Sequence, residues 1–303
     1  MNILVIGSQG FIGTHLCSFF VHKSYTVVGA DVLEVPANLT YEYVKVSRLS
    51  AQWNELLQIK QFDVCINAAG SGNVAYSVTH PLIDFEANTL DVIQLLDAIK
   101  THQPTCKYIH LSSAAVYGNP LSLPIFENSH IQPISPYGYH KQMSEIICKE
   151  YSHLFNLKIA IIRPFSIFGN GLRKQLIWDM CNKFNSNDVI TLFGTGNETR
   201  DFIHISDFVQ LIEIVLEHAD FNCTVYNAAS GIETKVSDVA NIFVEYYGCT
   251  KSVFFNGVSK PGDPQNWCAN IESVSNIGFM PTANFANEIT AYINWFNKLH
   301  ARN

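Results

Sequence analysis

Charge is scarce in this 303-residue chain: 15% of its residues are charged, and 26 acidic residues outnumber 19 lysines and arginines, for a net charge of -7. A nucleic-acid-binding protein needs a basic surface, so this balance argues against nucleic acid as a partner. The apolar runs are far too short to span a membrane, and the first residues are typical of a core strand rather than of a signal segment. We therefore expect a cytoplasmic protein.

Closely spaced metal ligands are missing as well. The eight cysteines are scattered along the chain without a Cys-x-x-Cys pair, and the eleven histidines show no His-Glu-x-x-His spacing. These patterns predict neither a metal site nor a disulfide framework. Repeats and low-complexity segments are also lacking. The length suits one large domain or two unequal lobes.

A glycine-rich turn follows the first predicted strand. Apolar residues fill 2–6, glycines then recur as Gly7, Gly10 and Gly13, and the apolar residues that follow have helical spacing. A strand-to-helix turn of this kind can cradle a pyrophosphate, because the backbone approaches the phosphates without a Cβ in the way and the helix packs close to the sheet. The alternative is an ordinary turn with incidental glycines.

The second predicted strand, residues 25–30, ends at Asp31, which is eighteen residues after Gly13. A carboxylate at this place can accept hydrogen bonds from an adenosine ribose and repels a 2′-phosphate. The next cation in the sequence is Lys45. NAD is therefore favoured over NADP as the cofactor, although Asp31 could instead cap the strand.

Tyr137 and Lys141 are four residues apart, so a helix would place both side chains on one face. A free tyrosine has a pKa of about 10, and a neighbouring ammonium group could lower it toward neutral pH for acid/base work. Alone, such a pair is more often a solvated pair on a helix surface.

Strand and helix patterns alternate through the first half, which predicts an α/β fold with a parallel sheet. Beyond Phe165, shorter elements are joined by glycine-rich loops. We expect a dinucleotide-binding domain over 1–165, with 206–229 returning to it, and a smaller substrate-binding lobe over 166–205 and 230–303.

In sequence order, eight motifs resemble the extended short-chain dehydrogenase/reductases that act on nucleotide sugars, and they span nearly the whole chain. They are Gly7 to Gly13, Asp31, Asn67-Ala68-Ala69, Ser112 to Gly118, Ser135-Pro136-Tyr137 with Lys141, Arg163-Pro164-Phe165, Gly196 to His204, and Lys260 to Asp263. The resemblance implies a Rossmann-type, doubly wound parallel sheet with a C-terminal substrate-binding lobe. It also implies an NAD(P)-dependent enzyme and a homodimer formed through a four-helix bundle by helices near 83–101 and 139–155.

The resemblance also implies roles for individual residues. Tyr137 is the acid/base, Lys141 holds the nicotinamide ribose and lowers the pKa of Tyr137, and Ser113 binds the reacting oxygen, with Ser112 as the neighbour easily confused with it. Asn88 is implied as structural support. The implied cofactor contacts are Gly7, Gln9, Gly10, Phe11, Ile12, Gly13, Asp31, Ala68, Ala69, Lys141 and Pro164. The implied contacts to a nucleotide-diphosphate sugar are Ser113, Tyr137, Ser166, Arg173, Thr191, Phe193, Arg200 and Lys260, of which Arg173 could equally be solvated and Phe193 could be core.

Ala114 and Ala115 stand where the 4,6-dehydratases of this family carry an Asp-Glu pair, so dehydration lacks an evident acid and base. Three functions stay open. A 4-epimerase with retained NAD is favoured, with a UDP- or dTDP-sugar as substrate. A 4-ketoreductase would reduce a 4-keto-6-deoxy nucleotide sugar with free NAD(P)H. A non-catalytic regulator would use the dinucleotide only to control a partner.

Overall fold

The computed structural model describes residues 1–35, 38–47, 50–259 and 262–301. Its strands are β1 (Asn2–Ile6), β2 (Thr26–Asp31), β3 (Glu42–Lys45), β4 (Val64–Asn67), β5 (Lys107–Leu111), β6 (Ile159–Pro164), β7 (Ser166–Phe168), β8 (Val189–Leu192), β9 (Thr199–His204), β10 (Asn222–Ala228), β11 (Glu233–Lys235) and β12 (Ser252–Phe255). Its α-helices are α1 (Phe11–His22), α2 (Ser50–Ile59), α3 (Val74–Thr79), α4 (Pro81–Phe85), α5 (Asp91–His102), α6 (Pro136–Phe155), α7 (Gln175–Ser186), α8 (Ile205–His218), α9 (Val236–Tyr246), α10 (Glu272–Asn276) and α11 (Phe285–His300). A π-helical turn, Glu86–Leu90, joins α4 to α5, and a 3-10 turn, Ala114–Val116, follows β5. In the described ranges, no helix is both long and apolar enough to cross a membrane.

Seven strands form one parallel sheet in the order β3-β2-β1-β4-β5-β6-β10. The predicted Rossmann-type α/β fold is therefore confirmed. The strand order reverses at β1, which pairs with β2 on one side and β4 on the other. Ligands of such sheets bind beyond the carboxyl ends of the strands at the reversal. Here that place lies next to the glycine-rich turn.

Alternating side chains of the strands bury both faces of this sheet. In β1, Ile3 and Val5 belong to one core cluster, which includes side chains of α1 and α8. Leu4 and Ile6 point to the opposite face and join a second cluster with side chains of α2, α5 and α6. Because successive residues of a strand face opposite ways, a short apolar run supplies both cores.

The other described strands form two small sheets, one ordered β11-β9-β7 and one that pairs β12 with β8. Helices α7, α9 and α11 pack with them around a third core cluster. Residues 222–228 instead return to the large sheet, where β10 pairs with β6. We propose the division into 1–165 with 206–229, and 166–205 with 230–303, which this strand pairing supports.

Candidate active site

The glycine-rich turn after β1 is packed against the backbone that follows β4. Gly7 has φ +77, and a Cβ there would lie 2.7 Å from Ala69 N. A Cβ on Gly13 would lie 2.0 Å from Gly7 O. Side chains are thus excluded at Gly7 and Gly13 by backbone atoms that cannot swing away. Among the described residues, a Cβ on Gly10, the N-cap of α1, would meet only Gly7 O within 4 Å, at 3.2 Å, so a ligand can approach its Cα.

These residues fit a dinucleotide. No side chain caps α1, and the first N–H groups of a helix lack intrahelical acceptors, so they are suited to bind a phosphate. Asp31 lies at the end of β2, where its Oδ2 accepts a hydrogen bond from Gln9 N at 2.9 Å and its Oδ1 accepts one from Val32 N at 2.7 Å. Oδ1 also accepts a hydrogen bond from Leu33 N at 3.3 Å, so Oδ2 is the oxygen with room for a further bond from a ribose hydroxyl. Lys45 forms an ion pair with Glu34, which leaves it poorly placed to attract a 2′-phosphate.

Helix α6 carries the predicted acid/base pair. Ser135 caps its N-terminus by accepting a hydrogen bond from Gly138 N, and Pro136 occupies the first turn, where the lack of an N–H has no cost. Tyr137 N donates to Ser77 Oγ at 3.1 Å. A Cβ on Gly138 would lie 2.7 Å from Ala115 O. The absence of that side chain lets α6 dock on the 3-10 turn that follows Ser113.

Ser112 and Ser113, the two serines after β5, have different hydrogen-bond partners. Ser113 Oγ accepts a hydrogen bond from Ala115 N at 3.1 Å, and its hydroxyl lies near enough to Tyr137 to lower the pKa of that phenol. Ser112 instead donates to Glu145 Oε1 at 2.6 Å. Arg163 donates to the same carboxylate at 2.8 and 2.7 Å. Ser112 is therefore part of a buried supporting network, and Ser113 faces the tyrosine.

The electrostatics of Tyr137 differ from the sequence-based expectation. We expected Lys141 to lower its pKa, but burial raises the pKa of Tyr137 to about 12, and the nearby Ser113 hydroxyl offsets only part of this effect. Burial also lowers the pKa of Lys141 to about 8. Its Nζ donates to Leu111 O at 2.9 Å. The expectation was wrong because it ignored desolvation, which penalises the charged forms of both side chains.

Arg200 has a guanidinium edge available for a phosphate. Its NH1 donates to Thr199 O at 2.8 Å and to Gln265 O at 3.2 Å. Burial lowers the pKa of Arg200, with Asp263 and Glu198 opposing the change. Lys260, the second cation expected at the diphosphate, lies outside the described residues.

The residues expected at the base lie on or beside β8. Phe193 is 51% exposed and is therefore not a core residue. Lys183 Nζ lies 5.7 Å from the centre of its ring and donates to Thr191 O at 3.0 Å. An exposed aromatic ring can stack on a base. Closer to the large sheet, Pro164 is buried at the end of β6, and Ser166 is half-buried at the start of β7.

Two adjacent cations, Arg173 and Lys174, precede α7. Lys174, which we did not predict as a contact, is the one that lies at the edge of the large sheet. Burial raises the pKa of Tyr292, and Arg173 offsets part of that rise, which puts Arg173 near α11. Lys174 Nζ instead lies 3.4 Å from the position of a Cβ on Gly72, in the loop after β4. Sequence reasoning chose Arg173 by resemblance. The loop geometry that distinguishes the two has no signal in the sequence.

A family model described as the NAD dependent epimerase/dehydratase family matches residues 3–229. The chain belongs to this family. The suspected resemblance is thus confirmed, and the prediction of NAD as cofactor agrees with the family. The chain is an enzyme of the NAD-dependent, nucleotide-sugar epimerase/dehydratase type.

Relatives of similar length match almost the whole chain. An uncharacterized UDP-glucose epimerase of Bacillus subtilis is 26% identical, over 99% of each chain. UDP-glucose 4-epimerase 4 of Oryza sativa is 27% identical, over 87% of this chain and 81% of its own length. The structure of a UDP-glucuronic acid 4-epimerase from Bacillus cereus, with UDP-glucuronic acid and NAD, is 27% identical and superimposes with a TM-score of 0.90, covering 99% of this chain and 100% of that one. A dTDP-glucose 4,6-dehydratase from Streptomyces venezuelae has the same TM-score, but at 21% identity it supports the fold alone.

Proposed function

We propose that the chain is a nucleotide-sugar 4-epimerase that uses NAD, with a UDP-sugar as the first substrate to test. The observation that carries this proposal is the approach of Ser113 to Tyr137, one helical turn before Lys141 and next to a turn formed by Ala114 and Ala115. Neither alanine can donate or accept a proton through its side chain. The site therefore has the groups for redox chemistry at a hydroxyl-bearing carbon and lacks, in that turn, an acid and a base for removing water.

The chain's own residues divide the work at the sugar hydroxyl. When bound, NAD would supply the hydride-transfer chemistry at C4 of the sugar. Tyr137 takes the hydroxyl proton as the carbon is oxidised and gives it back as the carbon is reduced. Ser113 would donate a hydrogen bond to the reacting oxygen, and Lys141, one helical turn after Tyr137, would hold the nicotinamide ribose. The turn of Gly7, Gly10 and Gly13 with Asp31 would hold the cofactor.

The nucleotide end of the substrate is assigned to the smaller sheets. Arg200 would bind the diphosphate together with Lys260, and Phe193 and Thr191 would pack against the base. Lys174 is a further candidate for an anionic group of substrate or cofactor, since its ammonium lies by the loop after β4. The names of the relatives, UDP-glucose and UDP-glucuronic acid epimerases, favour UDP as the nucleotide.

The test separates an epimerase from a reductase by the fate of the cofactor. Purified protein is denatured, and the released dinucleotide is quantified against protein. Separately, the native protein is incubated with UDP-glucose, UDP-galactose, UDP-N-acetylglucosamine and UDP-glucuronic acid without added cofactor. We expect near-stoichiometric NAD and conversion of one sugar into its C4 epimer. Empty protein that turns over only 4-keto sugars while consuming NADH or NADPH would overturn the proposal in favour of a ketoreductase.

A further inference from the structure

A buried carboxylate lies behind the catalytic helix with only part of its hydrogen-bonding capacity used. Asp84, in α4, is completely buried. Its Oδ2 lies 2.6 Å from His140 Nδ1, whereas its Oδ1 is buried and has no hydrogen-bond partner among the described residues. Burying a carboxylate this way is destabilising unless other groups compensate its charge. A group of this kind calls for a physical explanation.

His140 connects this carboxylate to the acid/base pair. It lies between Tyr137 and Lys141 in α6 and is itself only 9% exposed. Its backbone oxygen accepts a hydrogen bond from Thr89 Oγ1 at 3.0 Å, within the π-helical turn that follows α4. π-helical turns are frequent at functional sites. Two elements more than 50 residues apart in sequence thus meet directly behind the catalytic side chains.

Other ionisable groups near Lys141 contribute little net charge. Glu145 on α6 is neutralised by two hydrogen bonds from Arg163. Burial holds the pKa of His110 on β5 well below its usual range, so that imidazole is neutral. Burial also raises the pKa of Cys148 on α6 well above its usual range, so that thiol is neutral too.

Asp84 therefore supplies the main uncompensated negative charge near Lys141. Burial is the largest influence on the pKa of Lys141 and lowers it, and Asp84 is the largest influence that opposes burial. The same carboxylate contributes to the raised pKa of Tyr137, after burial itself. His140 Nδ1, 2.6 Å from Asp84 Oδ2, holds this carboxylate against the helix that carries the catalytic pair.

We propose that Asp84 and His140 are positioning residues: His140 holds the Asp84 carboxylate behind the catalytic helix, where its charge favours the protonated form of Lys141. The assignment of Tyr137 and Lys141 as the catalytic pair rests on the proposed function, but the electrostatic coupling does not. Glu86, two residues from Asp84 and exposed to solvent, offers a matched control on the same segment.

The test measures the coupling without any sugar substrate. Protein labelled with 13C at lysine Cε and tyrosine Cζ is titrated by NMR, and the signals are assigned by their loss in Lys141→Met and Tyr137→Phe. We expect Asp84→Asn to move the Lys141 midpoint down by about one pH unit, because a nearby opposite charge typically shifts a pKa by 1–3 units. Glu86→Gln should move it by less than about 0.3 pH unit, because an exposed charge is screened by solvent. An unchanged midpoint in folded Asp84→Asn overturns the proposal.

If Asp84→Asn does not fold, His140→Gln carries the test. It removes the imidazole that holds the carboxylate, so the Lys141 midpoint should move by more than about 0.3 pH unit, the limit expected for Glu86→Gln. An unchanged midpoint in folded His140→Gln would refute the pairing. A purely structural role would lower the melting temperature without moving either titration. A shifted midpoint in a protein that epimerises no sugar would instead refute the proposed function and leave this inference standing.

Discussion

Gly138→Ala should lower the turnover rate much more than it lowers stability, because the added methyl group would contact the turn that follows Ser113. Its Cβ would lie 2.7 Å from Ala115 O and 2.9 Å from Pro133 Cβ, whereas ordinary contacts begin at 3.4 Å. About 0.7 Å must therefore open between α6 and the turn. A misplacement of about 1 Å in an active site can cost roughly 100-fold in rate, so we expect turnover to fall by about 10- to 100-fold.

The stability of this variant should change much less than its rate. Alanine in a helix interior is favoured over glycine by about 1 kcal/mol, and overpacking of a tight contact costs about 1–3 kcal/mol. The free energy of unfolding should therefore fall by about 0–2 kcal/mol, which corresponds to a few degrees in melting temperature. Glu150→Ala, on the exposed side of the same helix, is the control for the substitution itself.

The assay compares kcat for epimerisation, retained NAD and the thermal midpoint in wild type, Gly138→Ala and Glu150→Ala. Full activity in a folded Gly138→Ala protein would refute the reasoning, because it would mean that the distance between α6 and the Ser113 turn does not control the chemistry. A loss of NAD together with activity would point to a disturbed cofactor site instead.

Tyr137→Phe should lower turnover by about two to four orders of magnitude with an unchanged circular dichroism spectrum, since it removes the proton donor and acceptor; near-wild-type kcat would contradict its role. Asp31→Ala should weaken binding of NAD more than binding of NADP in calorimetric titrations, because it removes a ribose acceptor and a charge that repels a 2′-phosphate; an unchanged preference would argue against that role. Tyr139, Met143 and Ile146 expose an apolar stripe on α6, with exposed fractions of 49%, 42% and 57%, which supports the proposed homodimer. Ile146→Asp should then yield monomers in size-exclusion chromatography with light scattering, and a wild type already monomeric at micromolar concentration would rule the dimer out.

The sequence could predict what depends on local pattern. The parallel sheet follows from apolar runs alternating with helical periodicity, and the start of α6 follows from Ser135 and Pro136. The pKa of Tyr137 could not be predicted in this way, because it depends on how deeply several elements bury the phenol. The partnership of Asp84 with His140 was equally hidden, since their side chains meet only after α4 has packed on α6.

Burial of Tyr137 bears on the direction of proton flow through the site. With a pKa of about 12, its phenol is ionised in only about one molecule in 100,000 at pH 7, so the ligand-free protein holds it as a loaded proton donor. A ketoreductase transfers that proton to its product in every turnover. Tyr137 must then take up a new proton from solvent, although its side chain is only 9% exposed. An epimerase needs Tyr137 ionised once, when cofactor and substrate bind, because the phenolate must take the proton of the substrate hydroxyl. It then returns a proton to the same sugar, so later cycles exchange no proton with solvent. A buried tyrosine therefore suits epimerisation, which has no net proton uptake, better than ketoreduction. This argument depends on the environment of the residue and not on its identity.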